Sequence, residues 1–148
     1  MADWEMRRPR AGDLELLVEV RAEAMRADLV RLGRYDEHRV RQRLRDSWEP
    51  AHAWIIEVAG AFAGSVALRP AEDAHWLEHF FLDPRTQGDG VGTAVLAELL
   101  ERCDRDGTRV RLIVLRGSAA RRLYERHGFV TVDEDPVDVH MLREPRPR

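Results

Sequence analysis

The chain has no lysine, and all 24 of its arginine-or-lysine positions are arginine. Without a lysine amine, Schiff-base and pyridoxal chemistry drop out. So does the phosphate loop whose glycines end in a lysine. Cysteine is reduced to Cys103, which excludes an internal disulfide, and its helical spacing from Leu99 marks it as a core residue rather than a nucleophile. No run approaches the roughly 20 apolar residues that a membrane-spanning helix needs, and the opening MADWEMRRPR lacks the apolar stretch of a secretion signal. These absences suggest a soluble, cytoplasmic protein with no membrane partner. A net charge of −3 and a pI near 6.1 argue against nucleic acid as a general partner.

What the chain does have is a core. Of its 148 residues, 44% are hydrophobic, and a domain of this size buries roughly two thirds of its unfolded surface. No linker or repeat divides it, so residues 1–143 read as one domain and 144–148 as a disordered tail. The pattern begins with a strand at 3–8. A helix from an Asp13 cap to about residue 29 follows, with Leu14, Leu17, Val18 and Met25 on one side. Asp36 caps a second helix carrying Val40, Leu44 and Trp48 at four-residue spacing. The period then shortens toward 2. Strands at 53–60 and 62–69 form an antiparallel hairpin around Gly60, and an aromatic strand at 75–84 stops at Pro84. After a glycine-rich stretch come a helix to about Arg105, a strand at 108–115, a short helix at 118–128, and strands near 129–133 and 137–142. The fold class is therefore mixed α/β (α+β), with about four helices flanking a mostly antiparallel sheet of about seven strands.

The glycine stretch, RTQGDGVGTAVLAELL from Arg85, carries Gly88, Gly90 and Gly92 directly before a helix-forming run. Glycine at alternate positions lets the backbone turn tightly with no side chain over its N–H groups. At a helix start those N–H groups and the positive end of the helix dipole converge on one spot, which favours an anion such as phosphate. A dinucleotide-binding GxGxxG does not fit, because Val95 stands where the third glycine would be.

LDPRTQGDGVGTAVL matches the Q/R-x-x-G-x-G/A motif of the GNAT superfamily of acyl-CoA-dependent N-acetyltransferases, with Gln87, Gly90 and Gly92 at the motif positions. Farther on, ARRLYERHGF resembles the second family hallmark, a helix with Tyr followed by Gly-Phe. The order of elements also resembles this family. The resemblance implies acetyl-CoA as cosubstrate, its pyrophosphate on the N–H groups of Gln87, Gly88, Asp89, Gly90, Val91, Gly92 and Thr93. It implies a pantetheine arm in a gap between the strands at 75–84 and 108–115, pairing with backbone near Phe81 and Leu82. Tyr124 would lie near the thioester sulfur as general acid and cofactor contact. Many members carry Asn just before the second helix, where this chain has Gly117 and Ser118. Ser118 can still cap that helix, while its contact with the cofactor is an open expectation.

Acetyl transfer to an amine needs a neutral amine, a stabilised oxyanion and a proton for the departing thiolate. Glu78 is the first candidate for the base: with regular alternation it shares a face with Phe80 and Leu82, where burial beside Trp76 and Phe80 would raise its proton affinity. His79 points the other way unless a bulge reverses it, and is the second candidate. A backbone N–H near Leu82 is a candidate oxyanion donor. His75, Glu78 and His79 also spell the H-x-x-E-H of a zinc peptidase, but that reading requires a helix. Four residues of strand hold the two histidines roughly 13 Å apart, and no metal is expected. The lone core cysteine favours direct transfer without a covalent enzyme intermediate.

The acceptor is less legible: a small-molecule or peptide amine. Between Arg21 and Arg45 stand eight arginines against Glu23, Asp28, Asp36 and Glu37. Such a run is ordinarily a solvated helical face. The sharper alternative is that one or two of these arginines hold a carboxylate or phosphate on the acceptor, with Tyr35 as another lining residue. Edge strands at the C-terminal end make a homodimer plausible. The rival to an enzyme is a catalytically silent acyl-CoA-binding or sensor module.

Overall fold

Adjacent apolar residues face opposite sides of a strand, and Ile55 and Ile56 show what this does to the whole molecule. Both are fully buried, one in each of two cores. Ile55 packs with Leu17, Val18 and Leu44, while Ile56 packs with Val66, Leu96, Leu112 and Phe129. A sheet covered on both faces follows. The computed structural model describes residues 3–86 and 88–147.

The sheet has seven strands: β1 (Trp4–Arg7), β2 (Ala53–Val58), β3 (Ala61–Pro70), β4 (His75–Leu82), β5 (Val110–Leu115), β6 (Val130–Glu134) and β7 (Asp138–Arg143), in the order β1-β2-β3-β4-β5-β7-β6. Helices α1 (Asp13–Arg31) and α2 (Glu37–Ser47) cover one face, and α3 (Val91–Asp106) and α4 (Ala120–Arg126) cover the other. All pairings are antiparallel except β4 with β5. This is the mixed, mostly antiparallel seven-stranded architecture with four helices that the sequence pattern predicts.

Local chemistry explains most boundaries. Asp36 caps α2, its carboxylate accepting from the Arg39 N–H at 2.8 Å. Ala59 and Gly60, both at positive φ, turn the β2–β3 hairpin. Gly107 ends α3 in the left-handed conformation. The expected Asp13 cap is corrected. Gly12 occupies the cap position, and Asp13 is the first helical residue, buried and held by Arg7 at 2.9 and 3.0 Å and by the Arg10 N–H at 2.7 Å. A carboxylate beside a guanidinium in the interior does more as an anchor between β1 and α1 than as a cap.

Cys103 is buried in the core of α3, and burial pushes its thiol up from its ordinary pKa. Next to it, Asp104 makes two hydrogen bonds to the buried Arg143 of β7, at 2.8 and 3.1 Å. Arg143 also donates to the His127 carbonyl at 2.7 Å. The tail has contacts as well: Glu144 pairs with Arg109 at 2.7 Å, and the Arg146 N–H donates to Asp104 at 2.8 Å. No helix among the described residues is long and apolar enough to cross a membrane.

Candidate active site

β4 and β5 run parallel but pair at only two positions, His75 with Val110 and Trp76 with Arg111. Beyond Trp76 they splay. β5 turns to β7, while β4 stays with β3, so among the described residues the β5-facing edge of β4 from Leu77 to Phe81 has no strand partner. The opening is the middle of a cleft of about 1410 Å³. α1 and α2 wall one end, β4 and β5 form the sides, and the start of α3 closes the other end.

At the α3 end the cap residue is Gly90 in the left-handed conformation, and among the described residues no side chain caps the helix. Gly88 and Gly90 have φ of +92° and +79°. Nothing lies within 4 Å of where their Cβ atoms would stand, so conformation, not crowding, calls for glycine there. Gly92 differs: a Cβ would lie 3.3 Å from the Leu82 side chain, which seats α3 closely on β4. The first turn of α3 begins here with N–H groups that have no intrahelical acceptor, a favourable place for a polyanion. Asp89 is exposed in this loop and Thr93 lies in the cleft lining. Gln87 lies outside the described residues.

Midway along the cleft β4 is bulged. Ala67 faces Glu78 and Ser65 faces Phe81, so His79 and Phe80 together oppose Val66. His79 has φ of +50°, a conformation that histidine tolerates better than most side chains. The Ser65 hydroxyl donates to the His79 carbonyl at 2.7 Å and holds the bulge.

The bulge corrects the alternation expected for this strand. Phe80 and Leu82 join Leu77 in the α3-side core, whereas His79 packs with Trp48 and Phe81 on the α1–α2 side. Glu78 is not grouped with Phe80 in an apolar pocket. Its Oε1 accepts from the Arg69 Nη2 and Nε at 2.6 and 3.0 Å. Its Oε2 lies 3.8 Å from the His79 Nε2. That nitrogen is buried with no hydrogen-bond partner. Burial lowers the imidazole's pKa from its ordinary value, Arg21 pushes the same way, and Glu78, Glu49 and the Ser47 carbonyl oppose them. The ring therefore stays neutral at pH 7 with a lone pair to offer. Both candidates for the base thus meet at one point of the cleft. The H-x-x-E-H reading needs a helix, and the segment is a strand.

Tyr124 of α4 is buried, edge-on to Phe129 with ring centroids 5.6 Å apart. It lines the cleft, and its hydroxyl makes no hydrogen bond to a described residue. Burial pushes its phenol well above the ordinary pKa, so it is a proton-bearing donor. Ser118 lies in the same lining, its hydroxyl accepting from the Ala120 N–H at 3.2 Å. Three residues escaped the sequence pattern. Arg69 reaches Glu78 from another strand, Trp48 meets His79 across layers, and Arg21 was one of eight arginines with nothing to distinguish it. Only Arg21 had any signal, its place in that run.

A seven-stranded sheet that opens at its one parallel pair, with an uncapped helix starting at the mouth, is the architecture of the GNAT N-acetyltransferases. Solved structures with this fold include the PaiA N-acetyltransferase of Thermoplasma acidophilum in complex with coenzyme A, with a TM-score of 0.76 and 21% identity over 96% of this chain and 99% of that one. Another is the ribosomal-protein-S18-alanine N-acetyltransferase of Escherichia coli, with 0.74 and 18% over 99% and 96%. The N-acetylglutamate synthase of Neisseria gonorrhoeae, complexed with coenzyme A and N-acetyl-glutamate, aligns at 0.70 and 17%, over 99% of this chain and 36% of that one. No curated protein matches the chain. Residues 24–143 match the family described as acetyltransferase (GNAT) domain. The chain belongs to that family and is an acyl-CoA-dependent N-acetyltransferase that acts on an amine acceptor.

Proposed function

We propose that the enzyme acetylates a primary amine by direct transfer, with Glu78 as base and Tyr124 as donor to the leaving sulfur. The observation that carries this reading is the presence along one cleft of the α3 start with its Gly90 cap, the β4 edge from Leu77 to Phe81 that lacks a β5 partner among the described residues, the Glu78–His79 pair and Tyr124. The residues suit acetyl-CoA: Gly88 to Thr93 for the pyrophosphate, with Gln87 from the motif, and the backbone at Phe81 and Leu82 for the pantetheine. Bound there, acetyl-CoA supplies an activated thioester.

The acceptor enters from the α1–α2 end as an ammonium of pKa near 10, which must lose a proton before attack. Glu78 Oε2 takes it, since Oε1 is committed to Arg69, and the neutral His79 beside it is a second acceptor. The amine nitrogen then bonds to the acetyl carbon, the carbon–sulfur bond breaks, and the sulfur leaves with the electron pair. A second proton leaves the nitrogen. One of the two ends on sulfur and the other in solvent. An ordinary thiol has a pKa near 8.5, below that of the buried Tyr124 phenol, so Tyr124 stabilises the departing thiolate by a hydrogen bond more than by outright proton delivery. Cys103 lies buried in the α3 core, in keeping with the absence of an acyl-enzyme.

The test is thiol release from acetyl-CoA over an amine library. Glu78→Gln should lower kcat by about 100-fold or more, and Tyr124→Phe by about tenfold or more. Both should leave the coenzyme A affinity measured by calorimetry within about twofold of wild type. Unchanged turnover in both variants would remove these two residues from the mechanism.

A further inference from the structure

The arginines of α1, α2 and their connection divide into two groups. On the outer surface each has a partner. Arg41 pairs with Glu19 at 2.8 Å and Arg45 with Glu15 at 2.9 Å. Arg31 pairs with Asp28 at 2.7 Å, and Arg26 stacks on Tyr35. Four others, Arg21, Arg34, Arg39 and Arg43, line the cleft. Among the described residues none of these four has a carboxylate within ion-pair distance. Fully solvated arginines would need no partner, but Arg21 is not fully solvated. It lies over the Phe81 ring at 5.3 Å and makes one hydrogen bond, from Nε to the Val40 carbonyl at 2.7 Å. Neither terminal nitrogen has a partner among the described residues. Desolvation, with Arg43 adding repulsion, pushes its pKa down to about 10, a sign of positive charge held without compensation. A guanidinium in such a place is stabilised by any anion that arrives with geometry to match its fork.

The cleft's own acids do not serve. Asp28 is paired with Arg31, Glu78 with Arg69, and Asp135 accepts from the Val137 and Asp138 N–H groups of its own turn; Asp138, the fourth acid of the lining, lies within ion-pair distance of none of the four arginines. Phe81 connects the two ends of the argument, since Arg21 lies over its ring and His79 packs against it with centroids 6.4 Å apart. An amine held by an anionic group at Arg21 is thus carried toward the Glu78–His79 pair.

We propose that the acceptor is a small amine bearing a carboxylate or phosphate, and that Arg21, assisted by Arg43, receives this anionic group on the α1–α2 wall. The proposal rests on the reading of the cleft as an acetyl-transfer site and goes beyond it by naming the acceptor's class. Excluding neutral amines follows from the same physics: they leave the desolvated guanidinium unpaired.

Matched acceptors test it: amino acids against their carboxamides, and aminoalkyl phosphonates against the corresponding aminoalcohols. Two readouts are taken, kcat/KM with acetyl-CoA and equilibrium binding to the enzyme–coenzyme A complex followed by tryptophan fluorescence. The anionic member of at least one pair should be preferred about tenfold or more in both. The carboxylate and phosphonate arms decide which anion it is. Arg21→Gln should abolish the preference while coenzyme A affinity is kept, and Arg21→Lys should restore part of it. Should Arg21→Gln fail to fold for want of its bond to Val40, Arg43→Gln should reduce the preference on its own. Equal use of charged and neutral acceptors by the wild type, or a preference that survives both variants, overturns the proposal. Loss of coenzyme A binding in the wild type would instead overturn the acetyl-transfer reading beneath it.

Discussion

The imidazole of His79 shows how much one side chain's surroundings decide. An exposed histidine titrates near 6.5. Here burial lowers that value, because the charged form loses its hydration and finds only part of it replaced by Glu78 and the Ser47 carbonyl. Below about pH 6.5 the unfolded chain therefore binds a proton that the folded one resists. Stability falls as the pH drops through that value toward the folded-state pKa, and the loss is complete below it. Each tenfold weakening of proton affinity corresponds to about 1.4 kcal/mol. His79→Asn, which keeps a side chain suited to positive φ, should flatten the fall of Tm as the pH drops below about 6.5. Thermal unfolding across that range checks it, and an unaltered slope would assign the acid sensitivity elsewhere. Glu78 and His79 were both visible in the sequence as titratable residues on one strand. Their meeting was not, because it depends on a bulge that regular alternation does not contain.

Elements set the width of the cleft, and two glycines do so by opposite means. At Gly64 of β3 a Cβ would lie 1.9 Å from the Phe81 carbonyl oxygen, so β3 and β4 approach as only glycine permits. Gly64→Ala must push β4 away and should cost about 3 kcal/mol or more in denaturant unfolding. At Gly90 there is space but φ is +79°. Gly90→Ala should cost only about 1–2 kcal/mol yet weaken coenzyme A binding about tenfold or more, since the new methyl takes up part of the open space beside the start of α3. Paired denaturation and calorimetry separate the two, and the reverse ranking of stability losses would contradict the geometry. The motif around Gly90 was plain in the chain. Gly64 carried no signal, because its constraint comes from a strand 17 positions away.

Over the whole molecule, Asp104 ties three regions together. Its carboxylate holds the guanidinium of Arg143, a residue only 2% exposed, which also bonds the His127 carbonyl where α4 gives way to β6. Asp104→Ala leaves that charge buried and unpaired, at a cost of about 3–5 kcal/mol. Chemical denaturation should show the loss, and Asp104→Asn, which keeps one acceptor oxygen, should show less. A change under about 1 kcal/mol would mean that water replaces the carboxylate.

Taken by itself, the sequence determined the order and kind of the elements, the mixed sheet, the glycine-marked start of α3 and the family to which the chain belongs. These are local properties: hydrophobic period, cap chemistry and glycine spacing act over a few residues and survive in a linear string. Only the tertiary structure decided which face of β4 carries Glu78, which guanidinium holds it, where β4 leaves β5, and which arginines of a run of eight look into the cleft instead of out to solvent. Each of those depends on register between distant strands or on a neighbour from another layer, and free energies of that kind arise only when the chain has closed on itself.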